Sequence, residues 1–117
     1  MIAETLQKIV ESTPGSVGAV FVDGEGIVIG QHMSGNGEID VETVAMELSA
    51  RFEPLRSAAT SLELGGINEL TIRTDEATLI VRFVNDYFLV LVLKPSGLAG
   101  KGRYKLRSTS SSFRDMI

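Results

Sequence analysis

The chain has 117 residues, 44% of them hydrophobic, and its 15 acidic and 11 basic residues give a net charge of −4. This length supports one buried core, so residues 1–117 are expected to form a single domain. The absence of cysteine excludes disulfides and thiolate metal sites. The start lacks a signal-peptide pattern, and the longest apolar run, residues 88–93, is far below the ~20 residues that span a bilayer, so we expect a soluble, cytoplasmic protein without a membrane span.

The first predicted elements are a helix and a β-hairpin. The helix covers residues 2–12, because apolar positions recur on one helical face and Thr13-Pro14-Gly15 ends it. Two apolar stretches follow, residues 17–22 and 27–30. The turn-forming segment Asp23-Gly-Glu-Gly26 between them predicts a hairpin.

A long amphipathic helix is predicted over residues 41–62. Asp40 closes a polar loop over residues 34–40 and can accept a hydrogen bond from the free amides of the first helical turn. Pro54 inside the helix predicts a bend. The apolar positions form one stripe at helical spacing, which we expect to pack on the sheet: residues 41, 44, 45, 48, 52, 55, 59 and 62.

The opposite face of this helix is poor in charge, since Glu53 is its only charged residue. Such a face is a poor solvent-facing surface, but it suits close approach by another helix. The residues on it are Met46, Ser49, Ala50, Glu53, Ser57 and Thr60.

Three strands are predicted next, over residues 69–74, 78–84 and 87–93. The first two alternate polar and apolar residues, and the last is apolar throughout. A strand apolar on both faces belongs at the sheet centre, with helices above and below, and the strand over residues 17–22 belongs there too. Glu69, Thr71 and Arg73 share one face of the first of the three strands, which predicts a place near the sheet edge.

The last predicted helix covers residues 98–117. Its candidate buried positions are Leu98, Leu106, Phe113, Met116 and Ile117. Gly100, Gly102 and the run Ser108-Thr-Ser-Ser-Ser112 are weak helix formers and favour fraying or a break.

This last segment is also basic, with five lysines and arginines against Asp115 alone. A solvated helix face packed near acidic neighbours is the simplest interpretation, and contact with an acidic partner or a membrane surface is the alternative. The pattern gives no support for stacking on bases, so we expect no nucleic-acid partner.

No constellation of residues predicts catalysis or a cofactor. His32 is the only histidine, and without cysteine or a second histidine it completes neither a catalytic triad nor a metal site. Five acidic residues lie close together in sequence, but they lack the spacing of a calcium-binding loop, and roles in turns and helix caps explain most of them. They are Asp23, Glu25, Glu38, Asp40 and Glu42. We therefore expect a non-enzymatic protein without metal or cofactor.

Two further motifs fail on spacing. The glycine-rich segments 97–102 and 24–30 do not match a phosphate loop or a dinucleotide-binding turn. Arg51 and Arg56 are candidate arginine fingers for a GTPase, but a salt bridge or a side chain lying along the surface is the simpler interpretation.

The assembled pattern resembles the roadblock/dynein light chain family, whose bacterial and archaeal members regulate Ras-like GTPases. The resemblance rests on four features: the segment Pro14-Gly-Ser-Val-Gly-Ala-Val-Phe-Val-Asp23, the segment Gly24-Glu-Gly-Ile-Val-Ile-Gly30, the long helix rich in small residues, and Gly97-Leu98 before a basic helix. The resemblance implies an α+β fold in the order α-β-β-α-β-β-β-α. Helices would cover both faces of a five-stranded antiparallel sheet of order 2-1-5-4-3.

The resemblance also implies a homodimer joined through the second helix and the third strand. We predict that its contacts, and those to a partner, come from Met46, Ser49, Ala50, Glu53, Ser57, Thr60, Glu69, Thr71 and Arg73. If two copies of the third strand pair about Thr71, Glu69 lies opposite Arg73 of the second copy, an arrangement that opposite charges favour.

Two functions fit this interpretation. The first is a homodimeric regulator that binds a small Ras-like GTPase through its paired second helices and selects one nucleotide state. The alternative is a structural adaptor dimer of the dynein light chain type, which holds a peptide or organises a larger complex.

Overall fold

A computed structural model describes residues 1–35 and 39–117 of the chain. Its elements are α1 (Ile2–Ser12), β1 (Ser16–Val22), β2 (Val28–Met33), α2 (Val41–Ser61), β3 (Glu69–Arg73), β4 (Thr78–Val84), β5 (Tyr87–Leu93) and α3 (Ala99–Asp115). The strands form one antiparallel sheet of order β2-β1-β5-β4-β3. The predicted α+β class, element order and strand order are confirmed. Glu38, one of the acidic residues considered above, lies outside the described residues.

The sheet separates two hydrophobic clusters. On one face, α1 and α3 pack on side chains of β1, β4 and β5, where Phe113 meets Phe21 with 4.8 Å between ring centroids. On the other face, α2 contributes Val41, Ala45 and Phe52. Phe52 packs edge to face against Phe83 and Phe88, at 5.2 and 4.7 Å. Since β1 and β5 are buried on both faces, their predicted central position is correct.

The burial of β4 and the continuity of α3 differ from the sequence-based expectation. β4 is buried along nearly its whole length, because α3 covers the face that carries Thr78 and Ile80. α3 is continuous from Ala99 to Asp115, although its weak helix formers favoured fraying or a break. A Cβ on Gly102 would lie 2.9 Å from side-chain carbons of Ile80 and Leu91, so this glycine lets the helix approach the sheet. The hydroxyls of Ser108, Thr109 and Ser110 donate to carbonyls of the preceding helical turn.

Helix α2 begins as predicted and continues through Pro54. The backbone N–H and the hydroxyl of Thr43 donate to the Asp40 carboxylate at 3.1 and 2.8 Å, and these bonds hold the pKa of Asp40 below its usual range. The helix lies over β1, β2 and β5. Its apolar stripe does not stay on the sheet: Leu55 is 45% and Leu62 is 68% exposed. The prediction that the whole stripe packs on the sheet is therefore wrong for the last two turns.

The connection from α1 to β1 is held against the connection from β5 to α3. Gly15 has φ +85°, and a Cβ there would lie 2.5 Å from Cα of Gly97. The N–H of Lys94 donates to the Gly15 carbonyl at 2.8 Å, and the N–H of Leu98 donates to the Pro14 carbonyl at 3.2 Å. This contact fixes where α3 begins. No helix within residues 1–35 and 39–117 is long and apolar enough to cross a membrane.

Gly15→Ala should lower the free energy of unfolding by about 3 kcal/mol, because it adds a left-handed backbone penalty and a clash with Gly97. Gly65→Ala is the matched control, since Gly65 has φ +83° and open space around it, and it should cost about 1 kcal/mol. Urea unfolding of both variants measures the difference. Equal losses would show that crowding at Gly97 contributes nothing.

Candidate functional site

The predicted contact residues of α2 divide into two groups. Met46, Ala50, Glu53 and Ser57 are exposed on the side of the helix turned away from the sheet, and we call them the outer face. Ser49 is half-buried against the hairpin, where a Cβ on Gly26 would lie 3.2 Å from its Oγ. Thr60 is exposed and lines a cavity with residues 66–68, the segment that leads into β3. The outer face offers a neighbouring protein one charge, one methionine and two small side chains.

A second surface of α2 was missed by the sequence interpretation. Leu48 and Leu55 lie on one flank of the helix, and Leu62 is the residue that caps its C-terminal end; we call these three leucines, spaced seven residues apart, the leucine flank. Leu48 is half-buried, whereas Leu55 and Leu62 are exposed. Exposed large apolar residues in a row are typical of an interaction surface.

Helix length was the signal that could have revealed this surface. A helix of 21 residues is about 31 Å long, whereas five strands span only about 19 Å from first to last. A helix that crosses such a sheet therefore has residues left over at one end. The apolar periodicity shows which face of the helix is apolar, but it does not show where the sheet under that face ends.

β3 is the edge strand, as predicted, and its free backbone groups can be identified. The N–H of Phe83 donates to the Asn68 carbonyl at 3.0 Å, and the N–H of Thr74 donates to the Ala77 carbonyl at 2.8 Å. Hydrogen-bonded and non-hydrogen-bonded pairs alternate along antiparallel strands. The backbone groups of Glu69, Thr71 and Arg73 therefore point away from β4, toward the open edge. These are the three β3 residues predicted to make the contact between copies.

The side chains of the same three residues lie on the face of the sheet that carries α3, since Leu70 and Ile72 pack on the α2 side. Oε1 of Glu69 accepts a hydrogen bond from Nη1 of Arg82 at 2.9 Å, so Glu69 already has a partner within its own chain. In the predicted pairing about Thr71, Arg73 of a second copy would share this carboxylate with Arg82.

The two candidate arginine fingers have structural partners. Arg56 lies over the Phe83 ring at 4.5 Å and the Phe88 ring at 5.4 Å, and its Nη2 donates to the Asn85 carbonyl at 3.3 Å. Nη1 of Arg51 contacts Oε2 of Glu47 at 3.0 Å, one turn earlier on α2. Arg56 thus contributes to packing at the end of the sheet, and neither side chain is free to extend into another protein without losing these contacts.

The remaining polar candidates have local roles. Oδ1 of Asp23 accepts hydrogen bonds from the N–H groups of Glu25 and Ile27, both at 2.9 Å, which shapes the hairpin turn. Asp40 caps α2. His32 is half-buried on β2, opposite Ala19 of β1. Within the part of the chain that the structure describes, no group of three or more histidine and carboxylate side chains is placed to hold a metal ion.

Comparison with known proteins gives a match to one family model and several matches to solved structures. The sequence model of the Roadblock/LC7 domain matches residues 2–94. MglC from Myxococcus xanthus is 29% identical, with 97% of each chain covered and a TM-score of 0.69. The gliding protein MglB from Thermus thermophilus is 19% identical, with 96% of this chain and 84% of that chain covered and a TM-score of 0.84.

A further structure, described as MglB with a tetrameric arrangement, is 18% identical over 96% of this chain and 84% of its own, with a TM-score of 0.85. At these identities the MglB matches show the fold. No curated protein sequence gives a significant match. The family match ends before α3, so the basic helix lies outside the matched residues.

Arg56→Ala should lower the free energy of unfolding by about 1 kcal/mol, because the guanidinium lies over two core aromatic rings. Arg51→Ala, which removes an exposed pair within one helix, should cost about 0.3 kcal/mol. Urea unfolding compares the two variants. Unchanged stability of Arg56→Ala, together with lost stimulation of a bound GTPase, would contradict the packing role and restore the arginine finger.

Proposed function

Because the chain belongs to the Roadblock/LC7 domain family, we propose that it is a non-enzymatic, homodimeric regulator of a small Ras-like GTPase. The resemblance to bacterial and archaeal roadblock proteins implies that the chain regulates such GTPases. The observation that carries the proposal is the exposure of Leu55 and Leu62 on the leucine flank of α2, and the unpaired edge of β3 supports it. A second copy of the chain would bury the leucines and pair the strand edge.

The dimer contact uses the leucine flank together with β3. On α2, Ser49 and Arg56 lie toward the hairpin turn and the β4–β5 turn, and the leucine flank lies on the other side of the helix. When two copies of β3 pair antiparallel about Thr71, the two-fold axis passes through the strand edge. The C-terminal halves of the two α2 helices then run on either side of this axis, with their leucine flanks facing each other. The sequence-based assignment gave both the dimer contact and the partner contact on α2 to Met46, Ser49, Ala50, Glu53, Ser57 and Thr60, and this proposal moves the dimer contact to the leucine flank.

The outer face then remains open to bind the GTPase. In the dimer, the outer faces of the two α2 helices lie side by side above one continuous sheet. Small side chains at Ala50 and Ser57 permit close approach by another backbone, and Met46 supplies an adaptable apolar contact. The residues of this surface have no acid–base or nucleophilic arrangement, so its effect on the GTPase comes from binding alone.

Regulation by binding alone requires different affinities for the two nucleotide states. A protein that binds the GTP-bound and GDP-bound forms equally shifts nothing, however tightly it binds. A tenfold preference for one state supplies about 1.4 kcal/mol toward that state. The switch regions of the GTPase, which change with nucleotide, are therefore the part expected to contact the outer face.

The double variant Leu55→Glu, Leu62→Glu should raise the dissociation constant of the dimer at least tenfold, because it places four carboxylates in one apolar contact. Sedimentation across a concentration series measures this constant. The matched variant Ala50→Glu, Ser57→Glu adds the same charge to the same helix and should remain dimeric. The reverse result would assign the dimer contact to the outer face, as first predicted from sequence.

Binding to a GTPase should depend on nucleotide. The immobilised protein, incubated with native lysate and either excess GDP or a slowly hydrolysed GTP analogue, should retain a small GTPase in only one arm. Ala50→Glu, Ser57→Glu should abolish this retention while leaving the dimer intact. Equal binding in both arms, with unchanged hydrolysis and exchange rates, would contradict regulation. A partner that is not a GTPase, bound equally in both arms, would favour the adaptor.

A further inference from the structure

The face of the sheet that carries α3 leaves its outermost strand uncovered. α3 packs on β4 and β5 and does not extend over β3. Thr71 and Arg73 are exposed there, and Glu69 and Arg82 are half-buried. Next to α3, β3 and the outer part of β4 therefore form an uncovered area of the sheet, which we call the shelf.

The flank of α3 that borders this shelf is lined with arginine. Arg103, Arg107 and Arg114 recur at positions that share one side of a helix. Lys105 and Thr109 line a groove against α1, so the three arginines lie on the opposite flank, toward β3. Arg114 also lines one cavity with Arg82 and Asn68, which joins the helix flank to the shelf.

These residues concentrate positive charge on an acidic protein. Five arginines from β3, β4 and α3 border the shelf, and we call them the arginine face: Arg73, Arg82, Arg103, Arg107 and Arg114. Glu69 is the carboxylate among them, and it is paired with Arg82 at 2.9 Å. Within the described residues, none of the other four arginines forms an ion pair. The acidic neighbours expected for the basic helix are therefore not paired with it.

The residue type and the spacing point to one class of ligand. The planar guanidinium of arginine binds carboxylates through two parallel hydrogen bonds. Arg103 and Arg114 are 11 residues apart, which places them about 16 Å apart along the helix axis. Charges strung along a line suit an elongated polyanion better than a single phosphate, around which they would have to converge.

The shape of the arginine face distinguishes among three possible polyanions: a membrane surface, a nucleic acid and an acidic polypeptide. Arg73 and Arg82 lie on the sheet below the level of α3, where a flat membrane surface resting on the helix would not reach them. Tyr104 is exposed, but it lies on the solvent side of α3, so the shelf offers no aromatic ring on which bases could stack. An extended chain with carboxylate side chains can lie along the step between α3 and β3.

We infer that the arginine face binds an acidic linear segment of a partner protein, rich in aspartate and glutamate, that runs alongside α3. This site is on the opposite side of the sheet from the outer face of α2. It does not depend on the proposed GTPase. In the proposed dimer, Arg73 lies opposite Glu69 of the second copy, and the row of Arg103, Arg107 and Arg114 in each copy stays free to bind one such segment.

The test uses the full chain and a fluorescein-labelled peptide of about 10 residues, alternating glutamate and serine, which spans the row at ~3.3 Å per residue. Fluorescence anisotropy at about 0.15 M salt, where distant surface charges are largely screened, measures the dissociation constant. A peptide with glutamine in place of glutamate is the neutral control and should not bind.

The variant Arg103→Gln, Arg107→Gln, Arg114→Gln should weaken binding at least tenfold. The matched variant Lys94→Gln, Lys101→Gln, Lys105→Gln removes the same charge from the same region but not from the shelf, and should weaken binding less than about threefold. Circular dichroism and dimerisation should be unchanged in both. Nucleotide-dependent retention of the GTPase should also persist in both, so failure of one proposal is distinguishable from failure of the other.

Three results would overturn the inference. The first is no binding of the glutamate peptide at this salt concentration. The second is an equal loss in the two triple variants, which would mean attraction by net charge alone. The third is arginine-dependent binding of anionic phosphatidylserine vesicles or of single-stranded RNA in the absence of peptide binding, which would assign the face to that ligand instead.

Discussion

The fold depends on covering a sheet whose central strands are apolar on both faces. β1, β5 and β4 expose almost nothing, so helices must cover the sheet from above and below. Three helices over five strands meet this requirement at the centre and leave it unmet at β3. The free backbone groups of β3 and the arginine face lie at this incompletely covered edge.

The two faces of β3 have different chemistry because alternate residues point to opposite sides of the sheet. On the α2 side, Leu70 and Ile72 continue toward the edge the hydrophobic cluster that Leu48 of α2 also packs against. On the α3 side, Glu69, Thr71 and Arg73 continue the polar shelf. One strand therefore presents apolar side chains on one face, beside the proposed contact between copies, and polar side chains on the other, beside the proposed surface for acidic chains.

Functional assignment for such a protein rests on surfaces and not on reactive groups. The polar residues that first attract attention are engaged locally: Asp23 in a turn, Asp40 at a helix start, Arg56 over aromatic rings. These contacts stabilise the parts that hold α2 in place. What remains available to other molecules is a charge-poor helix face, a row of leucines, an open strand edge and a row of arginines.

The amino-acid sequence by itself determined the secondary structure and which side of each element is apolar. Residues 2–12, 78–84 and 87–93 were predicted at their observed bounds, because helical and strand periodicities and the turn residues between them are local properties. The central position of β1 and β5 followed from apolarity on both faces. The edge position of β3 followed from its polar face, and the strand order came from the family resemblance.

Only the tertiary structure decided which apolar and charged residues remain uncovered. Leu55 and Leu62 continue the same periodic stripe as Phe52, yet they are exposed whereas Phe52 is buried. Arg82 and Arg114 are far apart in sequence and line one cavity because β4 and α3 pack together. Burial and charge clustering depend on contacts between distant segments, and local periodicity contains no information about where a neighbouring element ends.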